Sequence, residues 1–314
     1  MISSVDICFR LWYDFITQID FAEVTRHGKP LLQKATGGVQ KIEDSIRPYQ
    51  FLSGSALKVI AILAMTADHL CKIILQWLVA NYWSGMVSGG QMSLERFQQI
   101  DEFIRFRLQS VGALAFPLFC FLLSEGFRYT HSKKRYLLSM LAFALISELP
   151  FDVAFFGRLA KLNGTFPFYF KYQNVFFTLF LGLLTLVCLE KLSCNSEARA
   201  DKISASVLQI LCVAGFALVA ELIHCDYGMQ GILYIVAFYI CRKYRIYQVL
   251  LFLLAYMGTT GNQPPLCILL SCLLILLYNG KRGKLKGKYF FYIFYPAHIL
   301  VLYFIQLMLG KFLL

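Results

Sequence analysis

Apolar residues in this chain fall in long blocks separated by short polar gaps. Such blocks cover roughly 56–80, 110–127, 136–157, 174–191, 203–223, 229–241, 246–261, 264–280 and 289–310. Crossing the hydrocarbon core of a bilayer takes a helix of about 20 apolar residues. No water is available there to satisfy an open backbone, and the runs exceed barrel-strand length, so helices are expected. The pattern predicts an all-α fold: a polytopic integral membrane helix bundle of about nine transmembrane helices, the sixth and seventh short. Between the first two runs, residues about 81–109 carry Leu94, Phe97, Ile100, Ile104 and Leu108 at helical spacing and predict an outer-surface helix. Residues about 158–173 are rich in Phe, Tyr, Gly and Pro, which predicts an aromatic interfacial loop.

Composition narrows the class. The chain is 58% hydrophobic and only 15% charged over 314 residues, against about 45–50% and about 25% in ordinary soluble domains. A disordered chain, a disulfide scaffold and a conventional soluble enzyme are excluded. The +12 formal charge would suit nucleic acid, but the cations sit in the gaps between apolar runs and no recognition motif accompanies them. With the N-terminus inside, the segments facing the cytoplasm hold 21 of the 30 Lys and Arg residues, against 7 outside. Such a bias sets orientation. The N-terminus is therefore expected in the cytoplasm, with the lipid bilayer as the chain's first partner.

Residues 1–54 read as a cytoplasmic segment, and 55–314 as the membrane domain. The start is too acidic for a secretory signal, with Asp6, Asp14, Asp20 and Glu23. Cys8, Leu11, Trp12, Phe15, Ile16 and Ile19 instead predict an amphipathic helix, either lying on the inner leaflet or docked on the bundle. Of 10 cysteines, most lie in apolar runs, and no CxxC pair or Cys/His metal spacing occurs, so packing is their expected role and no metal is expected.

The chemistry is expected where polar residues interrupt the spans, since an ionisable group at the bilayer centre costs about 2.5–3.5 kcal/mol. Asp68 and His69 follow Met65-Thr66-Ala67 in the first span, about 18 Å along the helix from Ala56. An Asp68–Lys72 pair at four-residue spacing is the competing structural use. His298 follows Tyr295-Pro296-Ala297 about 14 Å into the last span, a depth at which it can meet His69. Near the inner end of the second span, Glu125, Arg128, His131 and Arg135 surround a basic loop suited either to phosphate or to anionic lipid. Glu148, Asp152, Asn174, Asp226 and Tyr227 map toward the outer side, as cavity residues or as helix caps. No GxSxG, HExxH, Walker A or GxGxxG arrangement occurs.

Taken in order, these blocks resemble the TraX family of membrane acetyltransferases. The residues that carry the resemblance are Leu57-Lys58-Val59-Ile60-Ala61 through Asp68-His69, Phe116-Pro117-Leu118-Phe119 through Gly126-Phe127-Arg128, Ile146 through Pro150-Phe151, Asn174 through Gly182, Asp226-Tyr227-Gly228, and Tyr295-Pro296 with His298. They span about residues 55–310 and leave the first 50 or so outside. The resemblance implies transfer of an acetyl group from acetyl-CoA to an amine or hydroxyl acceptor, a pilin-type protein or a cell-surface glycan. It implies His69 as general base, Asp68 orienting it, His298 as a second acid/base or oxyanion donor, and Arg128, His131 and Arg135 holding the CoA phosphates. Two rival classes share these residues: a proton-coupled transporter relaying through Asp68, His69 and His298, and a non-catalytic assembly factor.

Overall fold

The computed structural model describes residue 38 and residues 40–193, 199–284 and 288–313. The expected amphipathic helix around Cys8–Ile19 lies outside them. Helices occupy all the predicted apolar runs: α1 (Gly54–Ser88), α2 (Leu94–Tyr129), α3 (Lys133–Leu162), α4 (Val175–Ser193), α5 (Arg199–Leu222), α6 (Gly228–Ile240), α7 (Arg245–Thr260), α8 (Leu266–Leu276) and α9 (Lys288–Leu313). Six candidate spans lie in α1 to α5 and α9, which are long and apolar enough to cross a membrane; α6 and α8 are apolar but shorter. Among the described residues, extended pairing is confined to the isolated bridges Leu52–Tyr278 and Gln173–Cys225. The fold is an all-α polytopic helix bundle.

Local chemistry sets the ends. Ser53 Oγ accepts the Ala56 N–H at 3.2 Å and opens α1, and Asn174 Oδ1 accepts the Phe176 N–H at 3.0 Å and opens α4. Each satisfies a donor that the first helical turn leaves open. Gly261, at φ +67°, closes α7 in the left-handed region.

The helix expected within residues about 81–109 is present, and it runs on into the second span as one helix. Helix α1 runs 35 residues and α2 runs 36, each about 50 Å at 1.5 Å per residue, well past the ~30 Å hydrocarbon core. The stripe Phe97, Ile100, Ile104 and Leu108 packs on Cys71, Leu75, Val79 and Trp83 of α1, whereas Leu94 is exposed. The stripe thus buries itself in a hairpin with its neighbour and extends both helices. Widened π turns at Cys71–Leu75, Val79–Trp83 and Phe103–Leu108 adjust the register along that hairpin.

Helices α2, α4 and α6 form the inner layer, with α6 packed on α2, α4, α5 and α7. Close approach of α4 and α6 depends on Gly182 and Gly231, where a side chain would overlap Ile235 and Thr178 respectively. Phe121, Phe238 and Phe252 are fully buried between α2, α6 and α7. Helix α9 returns beside α1 and α3. Its return closes a space among α1, α2, α3, α4 and α9.

Candidate functional site

That space is a cavity of about 220 Å³. Helix α1 gives it Lys58, Ile62, Met65, His69 and Lys72, a stripe at four- and three-residue intervals, with Asp68 at its edge. Such spacing places all five on one helix face. Tyr136 of α3, Phe176 of α4 and Tyr292 and Tyr295 of α9 form other walls. The cavity has two ends. Lys58, Arg282 and Tyr136 lie at the basic end, where the cationic loops gather. Lys72, Asp226 and Tyr227 lie at the aromatic end, beneath the loop that follows α3.

Between the ends, α1 and α9 meet through two imidazoles. His69 Nδ1 and His298 Nε2 are 2.6 Å apart, and the rings are 5° from parallel. His298 Nδ1 lies 2.8 Å from the Phe294 carbonyl oxygen. A carbonyl only accepts, so His298 Nδ1 carries a proton and, in the neutral ring, its Nε2 is an acceptor. His69 Nδ1–H must then donate to it, which leaves a lone pair on His69 Nε2. The tautomer of the first histidine is therefore fixed by a carbonyl one residue pair away. Both rings are buried, and Phe155 and Tyr295 pack edge-on against His69 at 5.4 and 5.9 Å between centroids. His69 faces the cavity while His298 stands behind it.

Asp68 takes another partner. Its Oδ2 is 2.6 Å from Lys72 Nζ, so the pair four residues apart forms and His69 is oriented by His298. Gly112 on α2 makes room for the carboxylate, since a Cβ there would overlap it. Asp226 joins from the α5–α6 turn, where it accepts a hydrogen bond from Tyr172 Oη at 3.3 Å. Burial pushes its carboxyl up to about 6, against the opposing pull of Lys72. Thr178 donates to the Asp226 carbonyl. Tyr227, at φ 64°, stacks on Phe116 with centroids 3.6 Å apart.

Other sequence-predicted residues lie away from the cavity. Glu148 accepts from the Asn174 amide, and Asp152 Oδ2 accepts the Tyr169 N–H at 2.8 Å. These three tie α3 to the aromatic loop and to the start of α4, as capping groups do. Glu125 is buried on the opposite face of α2, 3.8 Å from Arg245, whose guanidinium lies over Phe121 and Tyr278. Arg128, His131 and Arg135 are exposed outside the cavity lining, Arg128 resting over its neighbour Tyr129. The lining instead includes Lys58, Lys72 and Arg282, which the sequence reading did not assign to the site. Lys58 and Lys72 carried a usable signal, because they fall on the His69 face of the first span.

Residues 53–306 match the TraX protein family. The chain is also 31% identical over 266 residues to the "Probable fimbrial assembly protein FimC, serogroup H1" of Dichelobacter nodosus, across 80% of this chain and 94% of that one. No solved structure matches it.

Proposed function

The chain belongs to the TraX family, and on that premise we propose that it is a membrane-embedded acetyltransferase moving an acetyl group from acetyl-CoA to an amine or hydroxyl acceptor. The observation that carries this reading is the buried His69–His298 pair, with His69 on the wall of the cavity and His298 behind it. His69 Nε2 takes the proton from the acceptor as its nitrogen or oxygen attacks the thioester carbonyl carbon. The Nδ1 proton can pass to His298 Nε2, spreading the positive charge over two rings, with His298 Nδ1–H held by the Phe294 carbonyl. When the carbon–sulfur bond breaks, the same proton returns from His69 to the leaving thiolate. Such base assistance contributes about 10²–10⁴-fold, and positioning within the cavity adds to it. His298 acts here through His69, as a positioning residue. The relative's name favours a fimbrial acceptor, a pilin-type protein, with a cell-surface glycan as the other candidate. The protein works in the bacterial inner membrane.

The test is incubation of the purified protein in membranes with labelled acetyl-CoA and the fimbrial subunit or surface glycan. The label should leave the thioester, and His69→Ala should stop it. A proton-coupled carrier is the second reading, favoured by the Asp68–Lys72 pair held inside a span beside a cavity. It predicts solute uptake into vesicles that contain no CoA, with no transfer of label.

A further inference from the structure

The aromatic end of the cavity is compensated in charge, and the basic end is not. Both acids in the lining, Asp68 and Asp226, act on Lys72. Lys58 and Arg282 lie at the other end, and among the described residues no carboxylate pairs with either. Lys58 Nζ sits 5.0 Å from the centre of the Phe291 ring, and the charge of Arg282 acts on it across the cavity mouth. Two facing cations with no acid between them repel, and an anion placed between them removes that repulsion. The walls beside Lys58, Phe291, Tyr292 and Tyr136, lower the dielectric on its side and strengthen the attraction there, while Arg282 is exposed at the mouth.

The chain ahead of α1 holds this arrangement in place. Gly54 N–H donates to the Lys281 carbonyl at 2.8 Å, and Ser55 N–H and Oγ both donate to the Arg282 carbonyl at 2.9 Å. Gly283, at φ +85°, passes so close that a side chain there would lie 2.6 Å from the Ser53 and Ser55 hydroxyls. Those bonds hold the Arg282 backbone beside the start of α1, and Lys58 follows three residues after Ser55, on the next helical turn, in the same cavity lining.

We propose that Lys58 and Arg282 form an anion-binding subsite for the phosphate of a phosphorylated ligand entering the basic end, with Ser55 as the residue that positions Arg282. For the soluble donor this rests on the acetyltransferase reading, which places CoA in the same cavity. A phospholipid headgroup carries the same phosphate chemistry, and the two sources separate in one experiment. Affinities of the full-length protein for CoA and for pantetheine, which has no phosphate, are measured in neutral detergent. Mixed micelles containing phosphatidylglycerol are then used as competitor.

Arg282→Met and Lys58→Met should each weaken CoA at least 10-fold and leave pantetheine within twofold. Lys58→Arg should restore CoA binding, and Lys171→Gln on the distant aromatic loop should change nothing. Ser55→Ala should weaken CoA about threefold and be corrected by no added salt. Should Lys58→Met fail to fold, the exposed Arg282→Met carries the same test. A lipid source appears as phosphatidylglycerol binding that depends on both cations while CoA binding does not. The subsite is overturned if the double variant, folded, binds CoA and phosphatidylglycerol within twofold of the parent. Acetyl transfer surviving in that variant would leave the enzyme reading standing. CoA binding that depends on both cations, without any acetyl transfer, would leave the subsite and remove the enzyme.

Discussion

Lys58 and Lys72 are the same residue type on one face of α1, yet they meet opposite surroundings. Lys72 lies 2.6 Å from Asp68 and feels Asp226 as well. Lys58 meets an aromatic ring and a second cation. The aromatic end offsets its cation within the fold, whereas the basic end, where Lys58 lies about 6 Å into α1, holds its cation without a paired carboxylate among the described residues. The contrast shows that a charge serving the fold and a charge serving a ligand are told apart by their partners, since residue type and helix face are identical.

The strongest way to break the compensated end is steric. Gly112→Val should destabilise the protein by about 2–3 kcal/mol, because the added carbons meet the Asp68 carboxylate and overpacking costs about 1–3 kcal/mol; thermal unfolding in detergent reads it. Next comes the pair of lysines. Lys72→Met should cost about 1–2 kcal/mol by leaving Asp68 without its cation, a figure reduced because Lys72 is partly exposed. Lys58→Met should instead be neutral or raise stability by about 1 kcal/mol, since it removes an unpaired charge. Equal losses at both positions would erase the contrast between the ends.

The smallest effect is one of pH. Asp226 rises from an ordinary 3.8 to about 6 in the folded protein. The folded state therefore holds this proton more tightly than the unfolded chain. Its favourable contribution is full below about 4 and is lost as pH climbs through 6. Asp226→Asn should accordingly gain about 1 kcal/mol relative to the parent at pH 7 to 8, and the gain should vanish near pH 4. Melting curves of both proteins across that range check the sign.

Much of this was legible in the sequence. Every apolar run is helical, and the similar depths of His69 and His298 anticipated that the two rings would meet. A span carries its own depth scale, because rise per residue is fixed. Which neighbour a residue faces has no such scale. Asp68 sits beside His69 in sequence but about 100° around the helix from it, and four-residue spacing gave it to Lys72. Arg128, His131 and Arg135 suggest a phosphate clamp because cations cluster there, yet Arg128 at the end of α2, His131 in the turn and Arg135 at the start of α3 are all exposed outside the cavity lining. Arg282 belongs to a loop of many cations, where positive charge also serves orientation, so only the bonds from Gly54 and Ser55 distinguish it. The helix expected around 94–108 is present, but periodicity reveals an apolar stripe without saying that the previous helix extends far enough to cover it.

The central claim is that His69 Nε2, left basic by the hydrogen-bond chain through His298 to the Phe294 carbonyl, takes the acceptor's proton. The most direct measurement is the rate at which label passes from acetyl-CoA to the acceptor in membranes holding the parent, His69→Gln or His298→Gln. His69→Gln should lose at least about 10²-fold. His298→Gln should lose less, with a shifted pH–rate profile, because an amide can still accept from His69 Nδ1–H but cannot share the charge. Transfer at the parental rate by folded His69→Gln would contradict the claim.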